Sequence, residues 1–242
     1  MLRKILLFTT LLFVSASCSN TEEPAIIKQE STSSGTQPEL IEEEQEDEKI
    51  EFIEFPLDNE QITINLQAVP ILKGYLAAAE QPNEKIEEME LMLIHPEKNI
   101  YLLEFSCVNQ QCSYLLLNPS EDNKAFLLAD LAMYEGIESS PDGNRIVFRF
   151  ARDHTSGLPV ADLIAIDIPK WTKLSITDTE GNKELSGYNQ PIQEVEWVNN
   201  EQLRADFPSL KQQPPADQSS VDTSGSEQQQ ETQTRIFQVT MK

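Results

Sequence analysis

The stretch that decides the fold runs from Ile137 to Phe150 and reads IESSPDGNRIVFRF. Pro141 presets φ near −65° and Gly143 accepts a positive φ without penalty, so Ser-Pro-Asp-Gly favours a tight reversal of the chain. Apolar residues then recur at every second position up to Phe150, the alternation of a half-buried strand. We therefore expect an apolar lead-in, a turn and a strand.

Two other stretches repeat this arrangement. A polar turn at 95–99 leads into Ile100–Phe105, and another at 197–202 leads into Leu203–Phe207. The last phenylalanines of the three strands, at 105, 150 and 207, are 45 and 57 residues apart, close to the repeat length of a four-stranded propeller blade. The sequence therefore predicts a mainly β fold, either propeller-like or an open fan of about three four-stranded blades.

Other patterns place the remaining elements of the folded region, which we expect at 51–241. A short N-terminal helix is predicted at 71–79, after Pro70 and before Pro82. Strands are predicted at 52–57, 62–66, 89–94, 100–105, 114–117, 125–129, 134–139, 145–150, 162–167, 173–177, 192–198, 203–207 and 235–240. The Gln-, Ser- and Pro-rich tract at 212–234 lacks apolar periodicity and is predicted to be a disordered loop.

The N-terminus has the pattern of an export signal. Arg3 and Lys4 precede a short apolar run, and small residues lead to Cys18. The Ser-Ala-Ser-Cys ending resembles the bacterial lipobox, which implies a signal peptide at 1–17 and a diacylated Cys18. Ordinary secretion after cleavage and an uncleaved anchor are the alternatives. The resemblance therefore implies a lipid-anchored protein on the extracytoplasmic face of the cell membrane.

Residues 18–50 form the expected linker. The segment is acidic, with six acids among the seven residues 42–48, and almost free of aromatic residues, so it cannot bury enough surface to fold. Its 32 residues after Cys18, 19–50, would reach about 100 Å when fully extended. We therefore expect a long, lipid-anchored stalk that lifts the folded region clear of the bilayer.

Cys107 and Cys112 remain once Cys18 carries lipid. Cys107 ends one strand-like run and Cys112 begins the next, with a short connection between them. A hairpin can place such cysteines at disulfide distance in an oxidising compartment. The alternative is a redox pair or a soft metal site, although the spacing is not C-x-x-C and no histidine lies nearby in sequence. The pattern favours a disulfide.

At Ser140-Pro141-Asp142-Gly143, and again at 162–167 and 174–177, the sequence resembles a WD40-like blade of the periplasmic type. That family includes the propeller of the Tol translocation system, and there the SPDG motif opens the second strand of a blade. Only the middle repeat, about 50 residues, matches well. The resemblance implies a propeller fold and assigns Asp142 a structural role in its own turn.

The net charge and the lack of known catalytic motifs limit the functions that the sequence allows. The formal charge is −23, or −25 once the signal peptide is removed, which argues against binding nucleic acid. No nucleotide, zinc or nucleophile-elbow motif is present, so we expect no cofactor and no metal and nominate no catalytic residue. The loop that carries Arg152, Asp153 and His154 is a possible binding loop. We expect an interaction module for a protein or cell-envelope partner; the alternatives are an envelope hydrolase on the same scaffold and a passive structural lipoprotein.

Overall fold

A computed structural model describes residues 26–30, 50–57, 60–119, 125–154, 158–179, 184–185, 187–209 and 232–241. The predicted signal peptide, Cys18 and most of the predicted linker lie outside these residues. Among the residues described, no helix is long and apolar enough to cross a membrane.

The first layer is a three-stranded antiparallel sheet followed by two short helices. Its strands are β1 (Ile26–Glu30), β2 (Phe52–Leu57) and β3 (Glu60–Asn65), in the order β1-β3-β2. The predicted helix is α1 (Pro70–Ala77). A second helix, α2 (Pro82–Glu87), was not predicted. Each helix has proline in its first turn, where the missing N–H costs no hydrogen bond.

The second sheet contains ten antiparallel strands. They are β4 (Glu90–His95), β5 (Ile100–Val108), β6 (Gln111–Leu117), β7 (Phe126–Ser139), β8 (Arg145–Arg152), β9 (Val160–Asp167), β10 (Thr172–Asp178), β11 (Glu194–Asn199), β12 (Gln202–Pro208) and β13 (Thr232–Met241). Their order is β11-β12-β13-β10-β9-β8-β7-β6-β5-β4. The mainly β prediction is confirmed. Of the two predicted arrangements, propeller-like or an open fan, the sheet does not form a closed propeller: it is an open antiparallel sheet.

Strand β7 joins two predicted strands into one. Its residues up to Ala132 pair with β6, and its residues from Met133 onward pair with β8. Leu131 and Gly136 have φ values of 47° and 146°, and the register shifts near both. Because bulges bend a strand, β7 leads from one part of the sheet to the next without a turn.

Three clusters of buried side chains fill the spaces between the packed layers of strands. The first cluster lies between the small sheet and one face of β5 and β6. The second lies between the other face of β5 and β6 and one face of β8 and β9. The third lies between the opposite face of β8 and β9 and the strands β10 to β13. Strands β5, β6, β8 and β9 are therefore buried on both faces, which explains their nearly continuous apolar sequences.

The predicted turn at Ser140-Pro141-Asp142-Gly143 is confirmed. The Gly143 N–H donates to the Ser140 carbonyl oxygen over 2.8 Å, and Gly143 has a φ of 66°. The Asp142 carboxylate accepts from the Ser140 hydroxyl over 2.6 Å and from the Asn144 N–H over 3.1 Å. Asp142 thus stabilises its own turn, and these hydrogen bonds lower the pKa of its carboxyl group.

Two predicted boundaries need correction. Residues 26–30 fall inside the segment predicted to be disordered, yet they form β1 on the edge of β3, with Ile26 buried. Lys28 forms an ion pair with Glu60 and donates to the Asn99 side chain over 3.0 Å. The loop predicted at 212–234 loses its last three residues to β13; its other residues lie outside the described part of the chain.

Candidate functional site

The β5–β6 hairpin carries the predicted disulfide. Asn109 and Gln110 have φ values of 51° and 66°, as a two-residue type I′ turn requires, and Val108 pairs with Gln111. Cys107 and Cys112 come next on the two strands, and their sulfur atoms are 2.13 Å apart. The predicted pair at disulfide distance is therefore confirmed, with Cys107 exposed and Cys112 buried.

Glu104 lies beside this cysteine pair. Its Oε1 is 3.4 Å from the Cys107 sulfur, and Glu104, Cys107 and Cys112 form a group of ligand atoms within 4.8 Å of one another among the described residues. A disulfide offers no thiolate, and the thiolate is the form that binds soft metals. This group could hold a metal only after reduction. Burial and a hydrogen bond to Glu104 raise the pKa of Tyr114.

The predicted binding loop lies next to the hairpin. The Arg152 guanidinium donates to the Asp130 carbonyl oxygen and stacks over the Tyr188 ring at 4.0 Å from the ring centroid. The Gln111 side chain reaches Asp153 over 3.4 Å. The structure therefore brings together Gln111 of the hairpin and Asp153 of the loop, which are 42 residues apart in sequence. We call this surface the rim: residues 106–112, 130–131, 152–154 and Tyr188.

The rim concentrates unusual backbone conformations. Six non-glycine residues in the described part of the chain have positive φ, and four of them lie in the rim: Ser106, Asn109, Gln110 and Leu131. A leucine in this conformation carries a steric cost. Such strain tends to persist at binding and active sites, where the surrounding structure maintains it. The backbone thus marks the rim as a candidate site.

His154, the third residue of the predicted binding loop, lies in the rim with its side chain exposed. Among the described residues, the group of possible metal ligands at Glu104, Cys107 and Cys112 does not include it.

Asp162 lies beneath the rim, and its Oδ1 accepts from the Gly187 N–H over 2.8 Å. Burial raises the pKa of its carboxyl group above the ordinary value, despite this hydrogen bond. A raised carboxyl pKa means that the ionised form is less favourable in the folded than in the unfolded chain. Above the pKa of the folded state, ionised Asp162 therefore lowers the free energy of unfolding. This destabilisation disappears as the pH falls below the pKa of the unfolded chain, about 3.9.

We expect Asp162→Asn to stabilise the protein at pH 7, because the amide keeps an oxygen for Gly187 and carries no charge. The Tm should rise by roughly 2–4 °C, the shift that about 1 kcal/mol gives in a domain of this size. The gain should shrink as the pH is lowered toward 4, as thermal scans of both proteins would show. The exposed Glu97→Gln is the control; a gain independent of pH would contradict the assignment.

Some rim residues could not be found from the sequence. Asp130, which accepts from the Ser113 hydroxyl over 2.6 Å and from Arg152, follows a strand pattern with no distinguishing motif. Tyr188 lies in an irregular segment and reaches Arg152 only through the tertiary fold. The cysteine spacing was the signal that did point to this end of the sheet.

No family model matches the sequence, and no curated protein and no solved structure is significantly similar to it.

Proposed function

We propose that this chain is an extracytoplasmic lipoprotein, anchored in the cell membrane through Cys18, whose β domain binds a protein or cell-envelope partner at the rim. The strongly acidic composition, with a formal charge of −23, disfavours nucleic acid and anionic lipid surfaces as partners. In this proposal the membrane is contacted by the lipid, and the folded region contacts the partner.

The proposal rests on apolar side chains that are exposed in the rim, where the backbone also has positive φ values. Val108 at the hairpin tip and Leu131 at the β7 bulge are 59% and 46% exposed. The rim also carries the Arg152 guanidinium stacked on the Tyr188 ring, and arginine and aromatic residues are enriched at protein interfaces. A rigid scaffold that presents such residues on its loops is a common design for recognition.

The architecture fits this role as an open fan. Strands β4 to β7 and β7 to β10 form two meanders that share β7, and β11 to β13 continue the sheet. We propose that these three units are the blades implied by the WD40-like resemblance, with the small sheet capping the first. An open fan offers a broad rigid surface, as repeat architectures do.

Lipid attachment is tested by Cys18→Ser. We expect the wild type in the membrane fraction, with a diacylglycerol-sized mass addition on a chain beginning at Cys18. The variant should lose this addition and leave the membrane fraction, while Ser19→Ala should behave as wild type. An unmodified Cys18 in the membrane-extracted wild type would overturn the anchor.

Partner binding is tested by a photo-crosslinking amino acid placed at Val108 or Leu131 in cells. The matched control is Leu93 on the edge strand β4, which is also exposed. We expect one discrete adduct from both rim positions and none from Leu93. Adducts of equal yield from all three positions, or none from any, would contradict a specific partner at the rim.

A further inference from the structure

The strands of the large sheet run between two ends of the domain, and the rim is one of them. Strand β8 runs from the turn at 140–144 to the rim at Arg152, and β9 returns from the rim to the turn at 168–171. The Ile168 N–H donates to the Asn144 carbonyl oxygen over 2.9 Å and so joins these two turns. We call this second end the base: the turns at 96–99, 140–144, 168–171 and 199–201, the start of β7 and the end of β13.

Five residues form a continuous patch on the base. Lys173 Nζ donates to the Leu127 carbonyl oxygen over 3.0 Å. Lys170 Nζ lies 3.6 Å from the Met241 sulfur, and Trp171 lies between the two lysines in the chain. We call this surface the base patch: Leu127, Lys170, Trp171, Lys173 and Met241.

The base patch exposes both apolar and charged groups. Leu127 and Met241 are 37% and 49% exposed, and the Lys170 side chain is 57% exposed. Trp171 has a φ of 49°, a conformation that bulky residues rarely adopt, and its ring packs on Phe126 with 5.4 Å between ring centroids. Backbone strain of this kind tends to persist at binding sites, where the surrounding structure maintains it.

The charge of the base patch is opposite in sign to that of the whole chain. The chain has a formal charge of −23, whereas the patch carries two lysines. Asp167 lies 4.0 Å from Lys170 Nζ, but its side chain is only 9% exposed. Lysine stems cover apolar surface while their ammonium groups reach outward, and tryptophan is enriched where a membrane meets water. The patch therefore suits the headgroup layer of a phospholipid bilayer.

The chain that precedes the described residues also leads to the base. Strand β1 contacts the base turn at 96–99, because Lys28 Nζ donates to the Asn99 side chain over 3.0 Å. The eight residue-to-residue steps from Cys18 to Ile26 span at most about 28 Å. A lipid on Cys18 would therefore hold this end of the domain within reach of the bilayer.

We propose that the base patch rests on the phospholipid headgroups of the membrane that holds the lipid, so that the rim faces away from the bilayer. The indole ring and the apolar side chains enter the interfacial layer, and Lys170 and Lys173 contact phosphate groups. The net charge repels an anionic surface at long range, but the lipid maintains proximity, so the patch has only to orient the domain. The inference rests on the proposed function in taking Cys18 to be lipidated, and it adds a contact between the folded region and the membrane.

The test places the lipidated full chain in phosphatidylcholine vesicles that contain a lipid with a nitroxide quencher on its headgroup. A fluorescent amino acid replaces Glu201 at the base in one preparation and Asp153 at the rim in another. Both are exposed acidic residues on loops outside the base patch, so the two labels change the charge equally. We expect quenching to be at least threefold stronger at position 201 than at position 153. Equal or stronger quenching at position 153 would overturn the proposal.

The double variant Lys170→Gln/Lys173→Gln tests the base patch itself. Glutamine keeps N–H donors but carries no charge, so the difference in quenching between the two ends should fall by at least half. The matched control is Lys73→Gln/Lys85→Gln, which removes two charges from the helices α1 and α2 and should leave the difference unchanged. A difference that survives the loss of Lys170 and Lys173 would show that the tether alone orients the domain, and would overturn the proposal.

Intact mass of the same preparations separates the inference from the proposed function. If Cys18 carries diacylglycerol and both ends are quenched equally, the base patch does not contact lipid and the proposed anchor stands. Equal quenching accompanied by dimers in detergent sedimentation would assign the patch to a second copy of the chain, which also overturns the inference. An unmodified Cys18 would overturn both. The comparison of the two labels is made without substituting the patch, so it does not depend on the stability of the lysine variants.

Discussion

Replacing Phe148 with alanine is expected to lower the free energy of unfolding by about 3–5 kcal/mol, the usual cost of truncating a fully buried phenylalanine. Phe148 is 0% exposed and lies in the second cluster. Its ring stacks on Phe150, with 6.1 Å between ring centroids and 16° between ring planes. Because this cluster joins the two meanders, the cavity would weaken the contact between layers as well as the local strand.

Urea denaturation followed by intrinsic fluorescence would measure the change. Val198→Ala is the matched control, since it truncates an apolar strand residue that is 50% exposed, and surface changes of this kind usually stay within about 0.5 kcal/mol. Equal effects of the two substitutions would show that the second cluster does not hold the layers together.

Removing the disulfide is expected to cost about 2 kcal/mol. The bond joins cysteines five residues apart, and the chain-entropy model gives only a modest stabilisation for so short a loop. The double variant Cys107→Ser/Cys112→Ala suits the two environments, because Cys107 is exposed and Cys112 is 4% exposed. Urea midpoints of the oxidised protein and the variant would give the difference.

Wild-type protein treated with a reductant serves as the control and should lose about the same free energy as the variant. Alkylation should then label Cys107 faster than Cys112, following their exposure. A variant as stable as the oxidised wild type would mean that the bond contributes nothing to the fold, and would favour the redox alternative for this pair.

Sequence patterns correctly predicted those features whose interacting residues lie close together along the chain. The turn at 140–143 follows from the conformations open to proline and glycine, and Phe148 belongs to a strand because apolar residues alternate around it. The cysteine pair was predicted because the hairpin between its members is short. In each case the relevant partners lie within a few residues along the chain.

The prediction failed where long-range pairing decides the outcome. Pro82 can end one helix or begin another, and the sequence favours neither. The segment at 130–134 resembles a break between strands, yet β7 continues through it with bulges because β6 and β8 both need a partner. Blade spacing also says nothing about whether the first and last strands of a sheet meet, so an open sheet could not be told from a closed ring.

The candidate site was predicted only in part. The loop at 152–154 and the hairpin were both singled out, but their contact through Gln111 and Asp153 arises from the packing of two meanders.

The docking of β1 on β3 changes where a lipidated molecule would act. Only seven residues lie between Cys18 and Ile26, so the eight residue-to-residue steps span at most about 28 Å. With its lipid in the bilayer, the domain would therefore remain close to the headgroups and could not extend about 100 Å into the envelope. Any binding partner would therefore have to be a membrane protein or a molecule that reaches the membrane surface.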